Sequence, residues 1–338
     1  MTAPVARAKT TGLHVGEAAP GCAKVDPIII ADNVRRSFGG VHAVDVDHLE
    51  IPRGAITALI GPNGAGKTTL FNLLTGFDQP NEGKWSYDGH DLSGVAAYKV
   101  ARMGLVRTFQ LTKALGLLTV MENMKLGAKN QKGEKFWASL IPALWRKQDD
   151  ELEDQAMELL QRFKLDAKAD DFAASLSGGQ RKLLEMARAL MTVPTLVMLD
   201  EPMAGVNPAL TQSLLDHILN LKDDGMTVLF VEHDMHMVRH IADWVVVMAE
   251  GRVVAEGDPH EVMKNPAVID AYLGAHQELD LGVVTGRIDI QDADPSASPE
   301  ASASASADAL VADGIAEEEG AAAKPAEPSS SHNQEDSK

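Results

Sequence analysis

The segment "IGPNGAGKTTLFNLL" (60–74) sets glycines at 61, 64 and 66 ahead of Lys67, Thr68 and Thr69. Gly61, Pro62, Asn63, Gly64, Ala65, Gly66, Lys67 and Thr68 fit G-x-x-x-x-G-K-[ST], with a strand-like run before and a helix-like run after. Glycines let successive backbone N–H groups turn inward on a polyphosphate, and the helix N-terminus adds positive potential. In that arrangement Lys67 reaches the β- and γ-phosphates and the Thr68 hydroxyl ligates Mg²⁺. The alternative, a chance glycine turn, does not account for the strand and helix on either side. The segment reads as a nucleotide site.

Two further runs end in residues that suit such a site. "TLVMLDEP" (195–202) is apolar up to Asp200 and Glu201, and "MTVLFVEH" (226–233) is apolar almost to His233. Carboxylates at the carboxyl ends of parallel strands lie where such sheets bind ligands. Asp200 is expected to hold Mg²⁺, mostly through water, and Glu201 to polarise an attacking water. The pair could instead cap the next helix, and His233 alone could be structural. One strand beyond Asp200, its imidazole faces the same crevice and can bond a γ-phosphate or hold the water. Gln110, in "VRTFQLT", sits where the core passes into a helical insert. Its amide oxygen is expected to reach the metal or the water.

"ASLSGGQRKLLEMARALM" (174–191) is a second glycine-containing helix start, more than a hundred residues after the first. Ser177 can serve as N-cap, with Gly178 and Gly179 exposing N–H groups ahead of Gln180. Leu183, Ala187 and Leu190 give that helix a buried face.

The elements that must position these residues follow from pattern. "AITALI" (55–60), "TLVMLD" and "MTVLFVEH" are continuous apolar runs, as strands covered on both faces are. Between the last two, Leu210, Leu214, Ile218 and Leu221 recur at helical spacing, giving a β-α-β unit and an α/β fold. "IIIADNVRRSF" and "AVDVDHLEI" suggest a small antiparallel sheet, and "DWVVVMAEGRVVAEG" (243–257) a hairpin turning at Glu250-Gly251. Residues 111–182 lack strand-like runs and read as an inserted helical subdomain, with Leu152, Ala156, Leu159, Leu160 and Phe163 as one apolar stripe.

Composition narrows the class. The single cysteine, Cys22, excludes an intramolecular disulfide framework and fits a reducing cytosol. No window approaches the roughly 18 apolar residues of a membrane span, and the N-terminus lacks a secretion signal's apolar core. Any membrane role is therefore expected to run through partners. A net charge of −18 makes a poor ligand for duplex nucleic acid. Residues 1–25 read as a flexible leader, 26–281 as the catalytic domain, and 282–338 as a disordered, acidic Ala/Ser-rich tail.

Together the motifs resemble the ATP-binding cassette (ABC) ATPase family over roughly residues 26–275. On that resemblance Gly61–Thr68 is Walker A, Gln110 the Q-loop glutamine and Leu176–Gln180 the signature. Asp200 is the Walker B aspartate, Glu201 the catalytic glutamate and His233 the switch histidine. Phe38, in "RRSFGGVHAV", matches the aromatic that stacks on adenine; the alternative is an ordinary core phenylalanine. The resemblance implies a P-loop core with antiparallel and helical subdomains, ATP and Mg²⁺, and a head-to-tail dimer with a second ATPase subunit, itself or a paralogue. Each ATP would lie between one subunit's Walker A and the other's signature. Asn207, in "MAGVNP", stands where many members have aspartate.

"ARMGLVRTFQ", "LTVMENM", "EPMAGVNP" and "NPAVIDAYLG" look like the ATPase subunit of branched-chain (hydrophobic) amino-acid uptake systems; close relatives serve urea or amide import and lipopolysaccharide export. That implies transmembrane permease subunits and a solute-binding protein as partners, and a place on the cytoplasmic face of the membrane. In "KNQKGEKFWASLIPALWRKQ" (129–148), lysines around two tryptophans suggest contact with permease or headgroups, or simply a solvated insert. The rival class, a soluble ABC ATPase on ribosomes or DNA, fits poorly with one cassette, no sustained heptads and an acidic balance.

Overall fold

A computed structural model describes residues 12–108, 115–129, 131 and 145–274. Two long strands, β1 (Pro27–Phe38) and β2 (Val41–Pro52), pair antiparallel and turn at Gly39-Gly40. The chain then enters a second sheet as β3 (Ile56–Ile60), before β4 (Glu82–Tyr87) and β5 (His90–Asp91) complete the first in the order β2-β1-β4-β5. The second sheet adds β6 (Leu105–Arg107), β7 (Leu196–Asp200), β8 (Thr227–Val231), β9 (Trp244–Ala249) and β10 (Arg252–Gly257). Its order is β10-β9-β3-β8-β7-β6, parallel throughout except for the β9-β10 hairpin. Glu250 and Gly251 both take positive φ at that hairpin's turn, the pattern of a type I′ turn.

The expected double covering is visible in alternate side chains. Val197, Leu199, Val228, Phe230, Val245 and Val247 face one core with Met124, Leu160, Leu184, Leu214 and Ile218. Leu196, Met198, Leu229, Val231, Val246 and Met248 face another with Ile29, Val44, Phe71 and Leu74. Each fully buried aliphatic side chain contributes about 1.5–3 kcal/mol relative to exposure, so a strand buried on both faces is held firmly in register. That rigidity fixes the strand ends where the candidate chemistry lies.

The helices are α1 (Lys67–Leu74), α2 (Ala97–Met103), α3 (Val120–Lys125), α4 (Arg146–Arg162), α5 (Gly178–Leu190), α6 (Pro208–Asp223) and α7 (Met235–Ile241). Two more, α8 (Pro259–Val262) and α9 (Pro266–Gly274), follow the last strand. The unit β7-α6-β8 is the predicted crossover, with Leu214, Ile218 and Leu221 buried on its inner face. In α4 the inner part of the predicted stripe is buried, at Ala156 and Leu160, with Phe163 just beyond it.

The expected flexible leader is corrected for residues 12–25. His14 bridges Lys24, and the Lys24 ammonium makes a 2.9 Å ion pair with Glu256 in which neither side chain is exposed. Glu256 also accepts from the Cys22 backbone N–H and the Trp244 indole N–H, each at 2.9 Å. A buried charge survives only when paired and hydrogen-bonded, and this one is. The anchor is polar and joins residues over two hundred positions apart, so no local periodicity announces it. The proposed acidic tail (282–338) lies outside the described residues.

Candidate functional site

The glycine loop leaves β3 and runs into α1. The helix cap is Gly66 at φ 96°, and no side chain caps the helix. The first N–H groups of a helix have no intrahelical acceptor, so those at the start of α1 are available to an anion. A Cβ at Gly66 would lie 2.2 Å from the Ala43 carbonyl oxygen, so only glycine permits this approach of loop to β2. Asn63, Gly64, Ala65, Gly66, Lys67, Thr68 and Thr69 line a cavity of about 230 Å³, together with Ala43, Val231, Glu201 and His233.

Lys67 is buried, and its ammonium donates to the Gly61 and Pro62 carbonyls at 2.7 and 2.9 Å. Burial holds its pKa below the ordinary lysine range, although the negative charges of Glu201 and Asp200 push it back up. A triphosphate reaching this ammonium would supply the anionic oxygens that the loop carbonyls now approximate.

Asp200 ends β7 without lining that cavity, and Glu201, on its opposite wall, follows in the left-handed region at φ 47°. A non-glycine residue there costs on the order of 1–3 kcal/mol and persists only where its surroundings fix it. The turn aims Glu201 into the cavity, where one carboxylate oxygen lies 2.8 Å from His233 Nε2. A carboxylate only accepts, so the imidazole donates through Nε2–H. The two strand ends therefore converge, as their apolar runs suggested.

Asp200 has a partner that the sequence reading missed. Arg107, the last residue of β6, donates to Asp200 Oδ2 at 2.6 Å and to Asn72 Oδ1 of α1 at 2.6 Å. Both members of the ion pair are almost fully buried. Its sequence signal was an arginine at the end of a strand, three residues before Gln110. Lys182 and Glu232 were missed too, though a charge at the end of "TVLFVE" could have flagged the second. Lys182, on α5, donates to the Glu201 and Pro202 carbonyls at 3.0 and 3.2 Å.

The second glycine-containing helix start is built as predicted but stands elsewhere. Ser177 Oγ accepts from the Gln180 N–H, while the Gln180 side chain accepts from the Ser177 N–H, a closed capping box. A Cβ at Gly179 would meet Leu210 Cδ2 at 2.0 Å, so α5 and the start of α6 touch through a missing side chain. Asn207 caps α6 through the Leu210 N–H at 2.9 Å. None of Ser177, Gly178, Gly179 and Gln180 lines the cavity of their own chain. Phe38 is no core residue: it is half exposed, with the Arg36 guanidinium 4.5 Å from its ring centre. Gln110, and most of the basic segment 129–148, lie outside the described residues.

The residues suit a hard divalent cation. Thr68 and Asp200 offer oxygen donors only, as Mg²⁺ prefers when phosphates complete its shell. Among the described residues no cluster of three or more His, Cys, Asp or Glu side chains could hold a metal by itself.

A strand–glycine loop–helix, an acidic pair on the next strand end but one, and a capped Ser-Gly-Gly-Gln helix define an ATP-binding cassette ATPase. The ABC transporter family profile matches residues 44–204, and that of the branched-chain amino acid ATP-binding cassette transporter matches 252–278. The chain belongs to the ABC transporter family, as one of its ATP-binding ATPase subunits.

The high-affinity branched-chain amino acid transport ATP-binding protein BraF of Pseudomonas aeruginosa is 40% identical over 251 residues, 73% of this chain and 98% of that protein. LivG of Escherichia coli K12, described in the same words, is 39% identical with the same coverage. Among solved structures, an ABC transporter cassette in its ADP conformation is 36% identical, with a TM-score of 0.64 over 73% of this chain and 99% of that one. A nucleotide-free cassette matches with the same identity and score.

Proposed function

We propose that this chain powers uptake of branched-chain amino acids through a membrane permease. The observation carrying this reading is the identity of about two residues in five with BraF and LivG over nearly their whole length. The closing segment 252–278, matched separately to the branched-chain family, supports the same branch. Partners in this reading are transmembrane permease subunits, a solute-binding protein and a second ATPase subunit, a copy or a paralogue. No helix among the described residues is long and apolar enough to cross a membrane. On this reading the chain sits on the cytoplasmic face through its permease.

The mechanism assigns each wall of the cavity a task. Lys67 and the N–H groups opening α1 bind the β- and γ-phosphates, and Phe38 offers a face to adenine. Thr68, Asp200 and Gln110 are assigned to Mg²⁺, which when bound neutralises charge building on the phosphates. Glu201 accepts a proton from the water as its oxygen bonds the γ-phosphorus in line, and the bridging oxygen leaves with ADP. His233 holds the Glu201 carboxylate towards that water. Ser177, Gly178, Gly179 and Gln180, absent from their own chain's cavity, would close over the γ-phosphate bound by a partner's Walker A. Catalysis is then mainly positioning and charge stabilisation.

Uptake of labelled leucine, isoleucine and valine tests this reading in cells lacking the chain. The wild-type gene should restore it and the Glu201→Gln gene should not. Unchanged branched-chain uptake together with lost urea or amide uptake would move the chain to that neighbouring branch. Affinity purification from solubilised membranes should recover permease subunits; recovery of ribosomal proteins would contradict the transport role.

A further inference from the structure

The turn that aims Glu201 is gripped from both sides by charged groups. Lys182 reaches it from α5, giving its ammonium protons to the Glu201 and Pro202 carbonyls at 3.0 and 3.2 Å. The Ala204 N–H also bonds the Glu201 carbonyl at 3.1 Å, and the Glu201 N–H bonds the Val231 carbonyl at 3.1 Å. Pro202 has no N–H to offer. The next donor, the Met203 N–H, goes to Glu232 Oε1 at 3.0 Å. The other Glu232 oxygen accepts the His233 N–H at 3.2 Å. One carboxylate thus joins the loop carrying Glu201 to the loop carrying His233.

We infer that Lys182 and Glu232 are positioning residues for hydrolysis, a two-charge brace that fixes the Glu201 turn against the His233 loop. The inference rests on the reading of Glu201 as the group that takes the water's proton. Three physical facts support it. The left-handed backbone of Glu201 needs anchors to persist, and five of the bonds above act on residues 201–203. Hydrogen bonds to charged groups are stronger than neutral ones, and Glu232 is buried, where solvent competes little. The charges are opposite and close enough to interact: Glu232 is the foremost group supporting the Lys182 ammonium against its burial, followed by Glu185 and Glu201.

The brace also has a direction. Lys182 lies on the helix whose first residues are the signature, so a displacement of α5 pulls on the backbone of Glu201 in the same chain. Engagement of the signature with a partner's nucleotide would thereby reach the hydrolytic group serving the chain's own nucleotide.

Steady-state hydrolysis by the full-length chain tests this with Lys182→Ala, Lys182→Arg, Glu232→Ala and Glu232→Gln. A misplacement near 1 Å costs up to about a hundredfold, so the alanine variants should lose about 10- to 100-fold in kcat with KM for MgATP within about twofold. Lys182→Arg keeps charge and donors and should recover most of the loss. Glu232→Gln keeps one acceptor and should fall between. Should an alanine variant melt early, the arginine and glutamine variants decide. A kcat within about twofold of wild type for Lys182→Ala, or failure of arginine to restore a normally melting protein, overturns the brace. In a Glu201→Gln background Lys182→Ala should cost nothing further, and an additive loss overturns action through Glu201. Near-normal turnover by Glu201→Gln alone would instead remove the base assignment, a failure separable from that of the brace.

Discussion

Replacing Arg107 by methionine should destabilise the protein far more than loss of an ordinary ion pair. The guanidinium bonds Asp200 and Asn72 at 2.6 Å each, and the ion-paired side chains are only 5% and 7% exposed. Methionine keeps most of the packing against the Phe71 ring, 5.4 Å from the guanidinium carbon, so the cavity contribution is small. What remains is a buried carboxylate without its cation, and breaking such a pair from one side costs about 3–5 kcal/mol. An exposed pair would cost about 0–1 kcal/mol. For a folded domain of roughly 250 residues 1 kcal/mol moves Tm by about 2 °C, so the expected loss is about 6–10 °C. Thermal unfolding followed by circular dichroism measures it. Adding Asp200→Asn removes the stranded charge and should recover much of the loss. A single-variant shift below about 3 °C, or a double variant no better than the single, would refute the reasoning.

Three further outcomes are expected. Gly66→Ala places a Cβ 2.2 Å from the Ala43 carbonyl and strains a φ of 96°, so affinity for a fluorescent ATP analogue should fall about tenfold or more, and unchanged affinity would contradict the loop geometry. Lys24→Met strands Glu256 with only its Cys22 and Trp244 donors, and the denaturation midpoint should drop by the equivalent of about 3–5 kcal/mol; an unchanged midpoint would return residues 12–25 to a mobile leader. Burial lowers the His48 pKa, but bonds to Asp32 and Glu50 outweigh it and leave the folded value raised. The resulting stability is complete below the unfolded pKa of about 6.5 and fades as pH rises through the folded value, so His48→Gln should flatten the urea midpoint across that window; parallel curves would refute it.

What the sequence disclosed was whatever its local pattern encodes. Continuous apolar runs placed β3, β7 and β8, a spacing of three and four placed α6, and Ser177 with Gln180 spelled a capping box. The glycine loop was legible because a backbone folded around phosphate needs particular residues in a fixed order. Side-chain partnerships between distant segments were not legible. Arg107 with Asp200, Lys182 with the Glu201 carbonyl, and Lys24 with Glu256 each join residues 19 to 232 positions apart. No periodicity records such pairs. They become visible only when the sheet order sets β6 beside β7 and brings β10 under the N-terminal segment.

Hydrolysis depends most on Glu201 as the group that takes the water's proton, and one variant tests that role most directly. Glu201→Gln keeps the size and the hydrogen-bonding reach of the side chain but removes the base. Steady-state hydrolysis and size-exclusion chromatography in MgATP should be measured on the same preparation. ATP binding should be retained, turnover should fall by about a hundredfold or more, and an ATP-bound dimer that wild type does not build up should accumulate. Hydrolysis near the wild-type rate, with no dimer accumulating, would contradict that role.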